Sequence, residues 1–229
     1  MLNFRNALIA IALTITLVII VMFSNSVNAD KPKIEGCNQI TKPSAKALPA
    51  ANKESDAFKL ALKVVMEHEG GLSNDKADKG LITRYGISLR YIREAHIDID
   101  GDGDSDADDI LKLTQTDADR IYYRDFWTKY KLDRFINNRI STKLFDSIVN
   151  MGYYRTSALT KRALNKAIFG HISVDGVLDD RTVDIINNME SVLFLNAFRV
   201  EQAAFYEALI KRTPAFSVFR KGWLARANS

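Results

Sequence analysis

The central and C-terminal parts of the sequence repeat apolar residues at the spacing of a helix. Phe58, Leu62 and Val65 lie three or four positions apart and therefore share one helix face. Similar spacing runs through three later segments, Ala118–Tyr130, Ser141–Val149 and Thr182–Leu209. Few stretches alternate apolar and polar residues with the period of a strand. The pattern predicts a mainly α-helical fold without a large sheet.

A different pattern opens the chain. The seventeen residues Ala7–Phe23 carry no charge and only two polar side chains, and Arg5 precedes them. The run is marginal for a membrane-spanning helix and long for the core of a signal peptide. Because Val27-Asn28-Ala29 is typical of a cleavage site, we interpret residues 1–29 as a signal peptide or an uncleaved membrane anchor. A buried core helix is the alternative.

Both interpretations of residues 1–29 predict that the rest of the chain is exported. With either a signal peptide or an anchor, the remainder lies outside the cytoplasm, periplasmic or secreted. An uncleaved anchor would hold it at the inner membrane with the N-terminus cytoplasmic. Residues 30–55 contain three of the four prolines and no apolar period. They predict an extended, mobile linker between this segment and the globular part.

Composition and charge narrow the class of protein. Apolar residues make up 47% and charged residues 26% of the chain, which excludes wholesale disorder and a fibrous repeat. Cys37 is the only cysteine, so no internal disulfide forms, and with three histidines it does not fit a typical structural zinc site. The net charge of +4 favours an anionic partner. No basic-aromatic recognition motif is present, so nucleic acid is not the expected one.

One helix end combines a carboxylate with an apolar face. Glu69 continues the stripe of Phe58, Leu62 and Val65 by one turn, and Gly70-Gly71 then ends the helix. Burial and the negative end of the helix dipole both raise the pKa of such a carboxyl. A carboxyl that stays protonated near neutral pH suits a general acid that protonates a glycosidic oxygen. A salt-bridged or half-exposed glutamate is the alternative.

The residues after this helix resemble those of cell-wall hydrolases. Glu69, Asp78 and Thr83 follow one another with eight and then four residues between them, which is similar to the order in phage-type lysozymes. The whole stretch resembles the Glu-Gly-Gly motif of glycoside hydrolase family 108, N-acetylmuramidases of the lysozyme-like superfamily. The resemblance implies a lysozyme-like helical domain over residues 56–155. The sequence departs from the usual motif at Leu72, Lys76, Lys79 and Leu81.

The resemblance also implies roles for the matching residues. Glu69 corresponds to the catalytic acid, while Asp78 and Thr83 correspond to groups that place water or stabilise positive charge at the sugar carbon. The positions implied to contact the substrate are Asn74, Asp75, Tyr85 and Asn150. Asn150 belongs to a segment similar to the central helix of the family, and a packing role is an equal alternative for it.

An acidic loop over residues 98–109 contains seven aspartates in twelve positions. Such like charge repels itself, whereas calcium prefers several hard oxygen ligands at about 2.3–2.6 Å. The spacing resembles an EF-hand or dockerin-type loop, with Gly103 at the sharp turn. The expected ligands are the carboxylates of Asp98, Asp100, Asp102, Asp106 and Asp109 and the backbone carbonyl of Asp104. We therefore predict a structural calcium site; a solvated acidic turn is the alternative.

The last part of the chain, residues 156–229, resembles a helical peptidoglycan-binding module. Ser173–Thr182 is similar to the Val-Asp-Gly turn of such modules, with Asp179 in place of their second glycine. Phe219–Arg226 is similar to a Gly-Trp-Leu-x-Arg ending, in which Trp223 is a candidate to stack on a sugar face. A core tryptophan is the alternative at that position.

Together these features favour an exported muramidase. It would cleave the β-1,4 bond between N-acetylmuramic acid and N-acetylglucosamine in glycan strands and would act as a monomer. A non-catalytic wall-binding or scaffold module of the same shape is the alternative. The seven aspartates of the loop contribute −7 to the total charge of +4, so the rest of the chain carries +11. That basic remainder suits the anionic cell wall.

Overall fold

The computed structural model describes residues 46–47, 55–69 and 82–229. The predicted signal or anchor segment and nearly all of the predicted linker lie outside these residues. In the described part of the chain, no helix is both long and apolar enough to cross a bilayer.

The described elements are short strands interspersed with helices up to Asp98, and helices only after it. In chain order they are β1 (Lys46–Ala47), α1 (Asp56–Glu69), β2 (Thr83–Arg84), β3 (Ile87–Ser88), α2 (Leu89–Ala95), β4 (Ile97–Asp98), α3 (Ala107–Lys112), α4 (Gln115–Tyr122), a π-helical segment (Tyr123–Thr128), a 3-10 turn (Leu132–Arg134), α5 (Asn138–Met151), α6 (Tyr153–Ile168), α7 (Asp180–Asn187), α8 (Ser191–Arg212), a 3-10 segment (Pro214–Phe219) and α9 (Arg220–Asn228). The mainly helical fold predicted from the apolar spacing is confirmed for these residues.

The chain divides into two compact units. Of the described residues, 46–47, Glu69 and 82–124 belong to the first unit, and 55–68 with 125–229 belong to the second. The sequence led us to expect a division between residues 155 and 156. The second unit instead spans that position, because α6 packs against both α5 and α8.

The first unit contains the short strands. β2 and β3 form an antiparallel hairpin, and β4 pairs in parallel with β1. Ser88 caps α2 by accepting a hydrogen bond from the Tyr91 backbone N–H at 3.2 Å. Ile92 and Ile110, from α2 and α3, are fully buried. These contacts fix the hairpin and the acidic loop within one small core.

The second unit is a helical bundle with an aromatic centre. Phe58 of α1 meets Trp127 and Phe145 edge to face, with ring centroids 5.6 Å and 5.8 Å away. All three rings are fully buried, and such aromatic pairs stabilise a core beyond the area they bury. The apolar stripe predicted from Phe58, Leu62 and Val65 is therefore the buried face of α1.

The helical spacing over residues 182–209 belongs to two helices. α7 ends at Asn187 and α8 begins at Ser191. The Asn187 side chain accepts a hydrogen bond from the Ile136 backbone N–H and donates one to the Arg134 carbonyl. Asparagine side chains compete in this way for backbone groups and favour helix ends over helix interiors.

Candidate active site

The end of α1 places the predicted acid. Glu69 is the last residue of α1, and the two glycines predicted to end this helix lie outside the described residues. It stands four positions after Val65, which is fully buried. The three predicted residues Asn74, Asp75 and Asp78 lie outside the described residues.

The β2–β3 hairpin places Thr83 and Tyr85. Thr83 pairs with Ser88 across the hairpin, and Tyr85-Gly86 forms its two-residue turn. Both turn residues have positive φ angles, 51° and 76°, as a type I′ hairpin turn requires. Glycine adopts this conformation readily, whereas tyrosine at positive φ is uncommon and needs support from its surroundings.

Two contacts supply that support at Tyr85. Its carbonyl oxygen accepts a hydrogen bond from the Tyr122 hydroxyl at 3.2 Å. The Arg84 guanidinium lies 5.3 Å from the centroid of the Tyr85 ring, within reach of a cation–π interaction. Arg84 also donates a hydrogen bond to the Leu111 carbonyl. The first unit therefore fixes Thr83 and Tyr85 on one hairpin and also contains Glu69.

Asn150 and Trp223 lie inside the second unit. Asn150 is 2% exposed, and its Oδ1 accepts a hydrogen bond from the Tyr206 hydroxyl at 2.7 Å. Trp223 is 6% exposed and stacks on the same Tyr206, with ring centroids 5.1 Å apart. The Asn150 amide and the Trp223 ring therefore both contact a protein side chain. The structure therefore favours the packing alternative for Asn150 and the core alternative for Trp223.

The acidic loop brings its carboxylates together in two groups. Ligand oxygens of Asp98, Asp100 and Asp102 lie within 4.8 Å of one another, and so do those of a second set, Asp104, Asp106 and Asp109. The sequence suggested one set of ligands with Asp104 contributing its backbone. A donor set made only of hard oxygens fits calcium chemically.

The first and last carboxylates of the loop also organise its backbone. Asp98 accepts hydrogen bonds from the N–H groups of Gly101 at 2.6 Å and Gly103 at 3.1 Å. Asp109 is 1% exposed and accepts from Ile99 at 2.6 Å and from Asp106 at 2.7 Å. The loop is therefore held closed by its own acidic ends.

Sequence reasoning missed a buried lysine beneath the Val-Asp-Gly turn. Lys161 Nζ donates hydrogen bonds to Asp175 Oδ1 at 2.8 Å and to Asp179 Oδ2 at 2.9 Å. Asp179 also caps α7, since its Oδ1 accepts from the Thr182 N–H at 2.7 Å. The pKa of Asp179 is lowered to about 2. The hydrogen bond from the Thr182 backbone is the largest cause, and the hydrogen bond from Lys161 is the next. The aspartate that replaces the usual glycine is thus an N-cap, which the spacing Asp-x-x-Thr signals.

Comparisons with known proteins agree with this architecture. Residues 62–152 match the family described as glycosyl hydrolase 108. Among solved structures, that described as "Structure of Brucella abortus SagA" is similar with a TM-score of 0.56 and 23% identity, covering 75% of this chain and 89% of that one. At this identity the likeness concerns the fold. No match was found among curated proteins.

The matched segment contains the end of α1, the hairpin, the acidic loop and α5. It therefore includes Glu69 and Thr83, the two predicted catalytic residues whose backbone positions are described above. Residues 62–152 of this chain are therefore similar to the glycosyl hydrolase 108 family.

Proposed function

We propose that the chain is an N-acetylmuramidase, which hydrolyses the β-1,4 bond between N-acetylmuramic acid and N-acetylglucosamine in peptidoglycan. The observation that carries this proposal is the position of Glu69, within the matched segment and at the C-terminal end of a helix with a buried apolar face. The helix dipole disfavours a negative charge at that end and thus favours the protonated carboxyl. Glu69 then donates its proton to the leaving glycosidic oxygen.

Asp78 and Thr83 assist in this proposal. As the glycosidic bond breaks, positive charge develops at the sugar carbon, and a second carboxylate either stabilises it or directs water onto it. We assign this role to Asp78. The Thr83 backbone is fixed by pairing in the hairpin, and we propose that its hydroxyl orients the water. Tyr85, Asn74 and Asp75 contact the glycan strand.

One experiment tests the catalytic role of Glu69. Release of reducing sugar from purified peptidoglycan is measured for wild type and for Glu69→Gln, with Glu67→Gln as the matched control. Glu67 lies on the same helix and is exposed. We expect Glu69→Gln to lose at least about a hundredfold in rate, the scale of a general acid, and Glu67→Gln to keep the wild-type rate. Equal rates in all three would remove Glu69 from the mechanism. Wall binding without hydrolysis by wild type would favour a non-catalytic wall-binding module.

We further propose that the acidic loop binds calcium and that the ion has a structural role. The support is the convergence of carboxylate oxygens within each group of three and the spacing of hard ligands along the loop. Asp98, Asp100, Asp102, Asp106 and Asp109 would hold the ion with side chains, and Asp104 with its carbonyl. An ion that binds the folded chain stabilises it by mass action.

We also propose that residues 1–29 export the chain, because its proposed substrate lies outside the cytoplasm. Either cleavage or membrane retention satisfies this proposal. Fractionation of cells that express the full chain distinguishes the two: a shortened soluble periplasmic or secreted product indicates a signal peptide, and a full-length membrane-bound product indicates an anchor. Full-length protein in the cytoplasm would contradict export.

A further inference from the structure

Three tyrosines of the second unit form a cluster at its surface, which we call the tyrosine platform. Tyr130 and Tyr153 are stacked nearly parallel, with ring centroids 4.2 Å apart and an interplanar angle of 6°. Tyr154 meets Tyr153 edge to face at 5.6 Å and is itself 74% exposed. Most of the Tyr154 side chain is therefore accessible to a ligand, beside two rings that are only partly exposed.

The Val-Asp-Gly turn, Ser173–Thr182, holds the tyrosine platform in place. The Tyr153 hydroxyl accepts a hydrogen bond from the Leu178 backbone N–H at 3.1 Å. Gly176 has a φ of +77°, and a Cβ at this position would lie 3.2 Å from the Tyr154 carbonyl oxygen. The glycine therefore permits the turn to pack closely against Tyr154. Because these contacts exist before a ligand arrives, binding costs less conformational entropy than it would on a mobile surface.

The tyrosine platform also offers hydrogen-bonding groups and positive charge. Burial, followed by the nearby phenol groups of Tyr154 and Tyr153, raises the pKa of Tyr130. The Tyr130 hydroxyl is therefore protonated at neutral pH and can donate a hydrogen bond. The Lys129 ammonium lies 5.6 Å from the centroid of the Tyr130 ring, and Lys129 is exposed. A ligand at this surface meets an aromatic face, hydroxyl groups and a cation.

This combination of groups matches the chemistry of a pyranose ring. A β-1,4-linked sugar presents axial C–H groups on its faces and hydroxyl or amide groups around its edge. The C–H groups pack on the negatively polarised face of an aromatic ring, while the edge groups bond to hydroxyls and ammonium groups. A purely aliphatic partner would instead bury the phenol and ammonium groups without hydrogen bonds, which is unfavourable. Peptidoglycan strands also carry carboxylates, which the Lys129 cation attracts.

We propose that the tyrosine platform binds the glycan strand of peptidoglycan, with a sugar ring stacked on Tyr154. The inference rests on the proposed function, because that function supplies the polymer. The platform belongs to the second unit, whereas the proposed acid Glu69 belongs to the first. Two attachment points on one polymer raise its effective concentration at the catalytic residues.

The test measures binding of glycan strands from which an amidase has removed the peptides, by isothermal titration calorimetry on the purified full chain. The parent for these titrations carries Glu69→Gln, so that the strands stay intact under the proposed function. We expect Tyr154→Ala to weaken binding at least about fivefold, the range of one aromatic contact. Phe169→Ala is the matched control and should bind like the parent, because Phe169 is a 93% exposed ring just beyond the opposite end of α6.

Two further variants separate stacking from a merely structural role. Tyr154→Phe keeps the aromatic face and should bind within about twofold of the parent. Tyr154→Trp adds an exposed indole, whose fluorescence should shift to shorter wavelength when a sugar ring covers it and excludes water. Trp127 and Trp223 are buried and give a constant background. Unfolding midpoints of all variants show that each is folded.

The inference is overturned if the strands do not bind the parent, if Tyr154→Ala binds them like the parent, or if the emission of Tyr154→Trp does not respond to them. Competition by the released peptides at the same concentration as the strands would also overturn it and would indicate a peptide ligand. Hydrolysis of intact peptidoglycan by wild type reports on the proposed function separately. Hydrolysis together with unchanged binding by Tyr154→Ala defeats this inference alone. Weakened binding by Tyr154→Ala without any hydrolysis by wild type supports the platform and defeats the proposed activity.

Discussion

Arg226 and Asp146 form a bidentate ion pair inside the second unit. Arg226 Nε donates a hydrogen bond to Asp146 Oδ2 at 3.2 Å, and Nη2 donates one to Oδ1 at 2.9 Å. The two side chains are 10% and 2% exposed, so water does little to screen them. The pair joins α5 to α9 across 80 positions of sequence.

Removal of one partner should therefore destabilise the protein strongly. Arg226→Met leaves the Asp146 carboxylate buried without its cation, and we expect the free energy of unfolding to fall by about 3–5 kcal/mol. Urea unfolding followed by circular dichroism measures the change. The double variant Asp146→Leu with Arg226→Met should recover most of it, because no unpaired charge remains. Arg220→Met, which breaks an exposed pair with Glu207, is the control and should cost less than about 1 kcal/mol.

The lowered pKa of Asp179 predicts an acid-dependent loss of stability. The folded value is about 2 and the unfolded value about 3.9, so the folded chain binds fewer protons between these values. The stabilisation is complete above about pH 4 and is lost as the pH falls through about 2. Asp179→Asn keeps a capping side chain but removes this charge, and it should flatten the dependence of unfolding free energy on pH over that interval. An unchanged slope between pH 2 and pH 4 would contradict the assignment.

Asp78→Asn tests the second catalytic group. If Asp78 acts in the transition state, kcat for peptidoglycan hydrolysis should fall at least about tenfold, with KM changing much less. Asp75→Asn is the comparison, because a residue that only contacts substrate should raise KM more than it lowers kcat. A decrease in kcat of less than twofold in Asp78→Asn would exclude the catalytic role.

The calcium proposal predicts a difference between two neighbouring aspartates. Excess calcium should raise the melting temperature of wild type relative to chelator by several degrees, because the ion binds the folded state preferentially. Asp102→Asn removes a carboxylate ligand and should reduce this increase. Asp104→Asn should retain it, because Asp104 would contribute its backbone carbonyl. Identical melting curves of wild type with calcium and with chelator would defeat the proposal.

Asn150 should matter for stability more than for substrate binding. Its Oδ1 accepts the Tyr206 hydroxyl in the interior, and Tyr206 accepts in turn from Gln202 Nε2 at 3.1 Å. Tyr206→Phe leaves these buried groups unsatisfied and should lower the free energy of unfolding by about 1–3 kcal/mol. Asn150→Ala should be similarly destabilising while KM stays within about twofold, as expected of a residue without a substrate contact. A large increase in KM with unchanged stability would restore Asn150 to the substrate site.

Local features of this protein could be predicted from the sequence. The spacing of Phe58, Leu62 and Val65 determined the buried face of α1. The acidic loop was equally apparent from its alternating aspartates. Each of these depends on residues a few positions apart, because helix periodicity, capping and ligand spacing are properties of short segments.

Tertiary structure alone decided which surfaces meet. The sequence suggested Asn150 and Trp223 as substrate contacts. In the structure, the Tyr206 hydroxyl donates a hydrogen bond to Asn150, and the Tyr206 ring stacks on Trp223. The sequence also did not predict that Asp146 pairs with Arg226, or that the aspartates of the acidic loop form two groups. Such contacts depend on how helices distant in the chain pack together, and the burial that results determines whether a polar or aromatic side chain faces a ligand or the core.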